Sequence, residues 1–203
     1  MLLKICLLLF PFYLFSQEIT KELYGNGALK SVGILENGKK EKSWKYYFPN
    51  GTLNAEFYYK SDVPDGQIKY YNLQGNLLTT ETWANGNMNG PYQVFSPQGQ
   101  VLSRGNFQNG LQEGEWKIYY PNGKIHKQGE YSKSLQQGSW KIWNENGVLI
   151  EESTIKKDVL EGPAKFYRSD GSLEFEGNYE NGVMKGEWKT FNKKGKLVKV
   201  KKY

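Results

Sequence analysis

The chain has 203 residues, with 38% hydrophobic, 24% charged and 15% aromatic side chains, and 23 glycines. A mean hydropathy of −0.71 is low for a protein with a large buried core, and few aliphatics beside many aromatics and glycines suit a thin sheet better than a thick globule. The formal charge of +6 permits weak attraction to anionic surfaces but is too modest and too evenly spread to point to nucleic acid.

Met1 to Gln17 stands apart from the rest. Lys4 precedes an 11-residue apolar run, Ile5 to Phe15, and Ser16-Gln17 follows. A run of that length at an N-terminus predicts a secretory signal peptide over 1–17 rather than a spanning helix. A membrane anchor and a first core strand are the alternatives. Cleavage would remove Cys6, the one cysteine, leaving no thiol chemistry, disulfide or thiolate metal site. The expected location is the periplasm, cell envelope or exterior of a bacterium.

Residues 18–203 form a second unit with a fixed internal period. A turn glycine recurs every 24 residues, at Gly27, Gly51, Gly75, Gly99, Gly123, Gly147, Gly171 and Gly195. A constant period over almost the whole chain means a repeat architecture. Ile19 to Leu35 reads as a first hairpin with a degenerate first strand. Around each later turn the columns repeat: an aromatic before it (Tyr119 in one copy), an aliphatic after it (Ile125) and a large apolar residue six further on (Tyr131). A looser column holds Trp44, Ile68, Tyr92, Trp116, Trp140, Ala164 and Trp188. A second glycine column holds Gly66, Gly90, Gly114, Gly138, Gly162 and Gly186, with Lys42 in the place of its first member.

Two turn signals per 24 residues, separated by aromatic and β-branched runs, predict two strands per repeat. In Pro121-Asn122-Gly123 the proline presets a type I turn and the glycine takes the left-handed position that closes a three-residue hairpin. That register sets Tyr119 opposite Ile125. Period-2 alternation then predicts Tyr119, Ile125 and Tyr131 on one face, with Trp116 and Ile118 on the other. The lysines from Lys193 to Lys202 predict a charged, solvated edge.

These residues carry a resemblance. Asn-Gly-x-x-x-Gly-x-Trp-x-x-Tyr, as Asn109 to Tyr119 and, ending in Phe, Asn181 to Phe191, followed by Asn-Gly-x-Leu, resembles the bacterial variant of the MORN repeat. The likeness covers roughly 19–203. It implies an all-β, elongated, twisted antiparallel β-hairpin repeat array. The family is often described as an antitoxin component of toxin–antitoxin systems, which implies a protein partner. Eukaryotic MORN arrays serve as scaffolds, some of them linked to membrane lipids.

The sequence offers little catalysis. His126 is the one histidine, so neither a histidine metal cluster nor a Ser-His-Asp set is expected. It is read as an exposed strand position. Glu151, Glu152, Glu174 and Glu176 lie on strands and read as a solvated face, and no cofactor is implied. The candidate binding column is Trp44, Tyr92, Trp116, Trp140 and Trp188, since aromatics on a sheet stack partners well. Packing along the array explains one aromatic per repeat as well and is the preferred reading. The sequence predicts an exported, non-catalytic scaffold or macromolecule-binding surface, its partner most naturally another protein. An antitoxin-like module and a glycan- or lipid-binding module of the cell surface are the alternatives.

Overall fold

The computed structural model describes residues 17–203. The predicted signal peptide therefore lies outside the described residues, except for Gln17, which opens the first strand.

Eighteen strands follow one another along the described chain: β1 (Gln17–Leu23), β2 (Leu29–Glu36), β3 (Lys39–Tyr47), β4 (Leu53–Lys60), β5 (Val63–Pro64), β6 (Gly66–Tyr71), β7 (Leu77–Ala84), β8 (Asn87–Met88), β9 (Gly90–Phe95), β10 (Val101–Gln108), β11 (Leu111–Tyr119), β12 (Ile125–Ser132), β13 (Leu135–Trp143), β14 (Leu149–Lys156), β15 (Val159–Tyr167), β16 (Leu173–Glu180), β17 (Val183–Phe191) and β18 (Leu197–Lys202). All pairings are antiparallel, and together they make one open sheet. The short pieces β5 and β8 continue into β6 and β9, so each period contributes one long and one shorter strand. The all-β hairpin array read from the sequence is the fold.

Each repeat has two turns of different chemistry. At one edge, the Gly123 amide donates to the Tyr120 carbonyl at 2.9 Å, and Tyr120 donates to Lys124 at 2.8 Å. Tyr119 pairs with Ile125, as the three-residue turn predicts. Gly123 has a φ of +82°, which a β-branched side chain tolerates poorly. At the other edge, two-residue turns with both φ values positive join each shorter strand to the next long one, as at Asn37-Gly38 and Lys133-Ser134. This is the primed hairpin turn whose twist matches that of the strands it joins.

These second turns are tied to their neighbours. The Asp62 amide donates to the Lys40 carbonyl and the Ser134 amide to the Gln112 carbonyl, both at 2.9 Å. Asp62 returns a side-chain bond to the Lys40 amide at 2.7 Å, and Asp158 does the same for Gln136. Successive repeats are thus joined at their tips as well as along their strands, which suits a nearest-neighbour array.

One prediction is corrected. Tyr131 does not share a face with Tyr119: its ring meets Trp116 edge-on at 5.8 Å, whereas Tyr119 lies under Arg104 at 5.7 Å on the opposite face. The cause is a bulge. The pairing steps from Tyr119 opposite Ile125 to Ile118 opposite Lys127, so β12 holds one extra residue there and the alternation of its side chains inverts. A second bulge, around Gly138, lets β13 spend four residues where β12 spends two. Lys42, the exception in that glycine column, adopts the same left-handed conformation at φ 60°.

Gly123→Val should lower stability by about 1–2 kcal/mol or more, since valine at that φ is strained, while Lys124→Val should change it by less than about 0.5 kcal/mol. Urea unfolding followed by circular dichroism compares the two, and equal effects would contradict this turn assignment.

Candidate functional site: an aromatic ladder backed by a polar face

The bulges sort each repeat into two unlike faces. On the first lies the column singled out in the sequence. Trp44, Trp116, Trp140 and Trp188 are buried, with only 2–6% of their surface exposed. Tyr92 is half-buried, 5.3 Å from the ring of Phe107 and 5.8 Å from Trp116. The four indoles are therefore the floor of this face. A ligand could not stack on them without first displacing their neighbours.

What buries them is glycine. Each indole covers a glycine on the preceding strand: Trp44 covers Gly33, Trp116 covers Gly105, Trp140 covers Gly129 and Trp188 covers Gly177. A Cβ added at Gly129 would come within 2.2 Å of the Trp140 ring. The two residues of every pair are 11 apart in sequence. Where the glycine is replaced the tryptophan is too, giving Phe57 with Ile68, Glu81 with Tyr92 and Ser153 with Ala164. Sequence reading missed this third glycine column because it searched each column alone. The signal was the correlation of two columns at that fixed offset.

Flanking rows complete the ladder. Tyr131 meets Trp116 on one side and Trp140 at 5.2 Å on the other, and Tyr179 meets Trp188 at 5.1 Å. Near the N-terminal end the Lys40 ammonium sits 4.6 Å from the Trp44 ring and donates to the Tyr46 hydroxyl at 3.0 Å. The Tyr46 and Tyr59 hydroxyls are bonded to each other at 3.1 Å. Burial pushes the Tyr46 phenol up, and burial with the Tyr46 hydrogen bond does the same at Tyr59. These flanking rings are half-buried, and Ile118 beside them is 38% exposed. The accessible part of this face is thus the rows beside the tryptophans.

The opposite face is polar. A lysine recurs there as Lys45, Lys69, Lys117, Lys141, Lys165 and Lys189, with Gln93 in one repeat. Carboxylates lie beside several: Lys117 is 2.8 Å from Glu115 and Lys141 is 3.1 Å from Glu152. Lys117 holds the Glu115 carboxyl below its usual range. On the same face the Tyr71 hydroxyl donates to Glu56 at 3.0 Å, and burial, then that bond, push its phenol up to about 12. Of the acids noted in the sequence, Glu152 pairs with Lys141, Glu176 neighbours Lys189 at 3.9 Å and Glu174 neighbours Arg168 at 3.7 Å, whereas Glu151 lies on the ladder face, opposite Ile142, and accepts from Ser153 at 3.0 Å. His126 is not exposed as expected. Its ring is half-buried against Tyr120, 4.4 Å away, because the turn brings the two side chains together. Among the described residues no three histidine, cysteine or acidic side chains gather to hold a metal ion.

The profile of the MORN repeat variant matches residues 40–61, 88–109, 112–133, 136–157 and 160–181, together more than half of the sequence. The chain belongs to this family. Each matched segment spans a long strand, its three-residue turn and the shorter strand that follows. The array is similar to the TCP10 domain of Danio rerio CPAP, solved with a peptide of Danio rerio STIL, at 16% identity over 92% of this chain and 100% of that one, with a TM-score of 0.32. It is similar to TcdB2–TccC3 at 13% identity over 90% of this chain and 13% of that one, with a TM-score of 0.21. A protein of unknown function from Bacteroides fragilis matches at 10% identity over 93% of both chains, with a TM-score of 0.12. No curated protein sequence matches the chain.

Two outcomes are expected. Gly129→Ser should destabilise by about 2 kcal/mol and Trp140→Ala by about 3–5 kcal/mol. Their combination recreates the Ser153–Ala164 pair, so its cost should fall short of the sum by at least about 1 kcal/mol; additive costs in urea unfolding would refute the pairing. The raised phenols also predict alkaline lability. The native state holds protons that the unfolded chain releases, so this stabilisation is complete below about pH 10 and is lost as pH rises towards 12. The urea midpoint should drop between about pH 10 and 12, and Tyr71→Phe should lessen the drop.

Proposed function

We propose that this chain is an exported, non-catalytic scaffold that presents its aromatic ladder to another protein. The observation that carries the reading is that the ladder lies on a one-layer sheet: no second layer of the described chain covers it, and its outer rows remain partly exposed. Aromatic rows over a rigid floor are the composition of protein-binding surfaces, where large rings give contact area at low entropy cost. The apolar run Ile5 to Phe15 supports export and an envelope or extracellular location. A protein partner also fits the antitoxin role described for the family, with the partner then an intracellular toxin.

Fractionation of the host with intact-mass measurement separates these readings. A mass lacking about 16–17 residues in the periplasm or medium is expected; a full-length chain in the cytoplasm would overturn export and favour the antitoxin reading. A photo-crosslinking residue at position 118, on the ladder, should capture a protein adduct in the host compartment. The same residue at position 45, on the polar face, should not. Absence of any adduct at 118 would sink the proposed binding face.

A further inference from the structure

Four open cavities of the polar face are copies of one another. The first, of about 330 Å³, is bordered by Gln93, Arg104, Asn106 and Lys117. The second, also about 330 Å³, is bordered by Gln128, Glu130, Lys141 and Trp143. Two more follow, of about 250 Å³ beside Thr154 and Lys165, and about 180 Å³ beside Asn178 and Lys189. Glu115 borders both the first and the second, Ser139 both the second and the third, and Lys165 both the third and the fourth. They form one trough running across the strands, along the axis of the array. Its floor reaches the backbone at Gly105, Gly129 and Gly177, whose other side is covered by the tryptophans.

We propose that this trough is a binding site for an extended, uncharged β-1,4-linked glycan chain. Three features select that occupant. The first is pitch. One repeat is two strands, so the cavities recur about every 9.5 Å, which matches the length of a β-1,4-linked disaccharide. The second is charge. The cations of the trough are Arg104, Lys117, Lys141, Lys165 and Lys189, and its carboxylates are Glu115, Glu130, Glu152, Glu176 and Glu187. Five against five leaves no net charge to attract a polyanion such as nucleic acid or an acidic polysaccharide. The third is hydrogen bonding. Gln93, Asn106 and Asn178 present amides that donate and accept, as ring hydroxyls and acetamido groups do; Gln128, whose Nε2 already donates one hydrogen to Glu115 at 2.6 Å, keeps its carbonyl and second amide hydrogen for a ligand, and the half-buried Trp143 offers a ring edge for a pyranose to lie against. The site lies on the face opposite the proposed protein-binding ladder, so each can be lost without the other.

Isothermal titration of the purified chain with β-1,4-linked oligomers of N-acetylglucosamine and of glucose, two, four and six sugars long, tests the proposal. Affinity for one of the two series should rise about tenfold with each added disaccharide, as each engages one more cavity with about two further hydrogen bonds. Asn106→Ala and Gln128→Ala should each weaken hexasaccharide binding about fivefold or more, with unchanged circular dichroism. The proposal is overturned if neither hexasaccharide binds at millimolar concentration, if affinity is independent of length, or if both alanine variants bind like the parent. Equal binding of an extended neutral peptide that displaces the hexasaccharide would also overturn it, making the trough a peptide groove.

Discussion

The packing of an indole against a glycine on the neighbouring strand is the interaction on which this molecule depends. A single-layer sheet has no opposing layer to bury its apolar side chains, so burial has to be found sideways, along the sheet. Flat rings do this best when the adjacent strand is bare. At Gly33, Gly105, Gly129 and Gly177 the missing Cβ leaves room for the next tryptophan to lie directly on backbone. The ring is then closed in by the large residue two positions further along the same strand, as Tyr131 closes in Trp140. The buried apolar set, Trp44, Ala55, Ile68, Trp116, Trp140, Ala164 and Trp188, is consequently almost one column of the repeat. The sheet carries its core as a line rather than a volume, which is why the hydropathy is low while the aromatic content is high.

A linear core requires that the same face be presented in every strand, and the two bulges per repeat enforce it. The extra residue at the start of each shorter strand inverts its alternation, and the left-handed residue of each long strand absorbs a second mismatch. The rows that remain in phase with tryptophan are the large apolar residues, while the aromatic before each turn is sent to the other side with the lysines. Glycine is favoured at the second bulge by its positive φ, yet Lys42 holds the position at φ 60°, with its ammonium 3.2 Å from Glu36. Most of this column is therefore a backbone preference, whereas the glycines beneath the tryptophans are demanded by space. The two kinds of glycine look alike in the sequence and do different work.

That distinction explains what was legible and what was not. The period, the strand count per repeat and the pairing of Tyr119 with Ile125 were all readable, because they follow from local turn chemistry. Assignment of faces failed at Tyr131, since a bulge at the foot of the turn leaves no mark in composition and reverses a simple count by two. The tryptophan column was found and its packing role preferred, but what buries it was not seen, because burial depends on glycines 11 residues earlier that lie in a different strand. An internal repeat offers its own remedy: seven copies of the unit already contain the exchanges Trp to Ile, Tyr and Ala, each with its compensating partner. The polar trough was missed for another reason. Its residues are chemically ordinary one at a time, and only their recurrence at one pitch makes them a surface.

The polar face also shows what packing cannot account for. Exposed positions of a repeat drift freely when only stability constrains them, yet the lysine column persists through all but one copy. Where it fails, at Gln93, the directly paired residue on the next strand is Arg104, so the cation is restored from the other side. The balancing carboxylates move similarly. Lys45 and Lys141 pair with an acid across the strands, whereas Lys117 pairs with Glu115 on its own strand. Surface ion pairs of this kind contribute about 0–1 kcal/mol each, too little for stability alone to fix them, and no single geometry is kept. What is kept is a face carrying one cation per repeat with its charge nearly cancelled. A property held constant while the residues supplying it change belongs to the surface rather than to any contact within it, and such a surface is defined by what it meets.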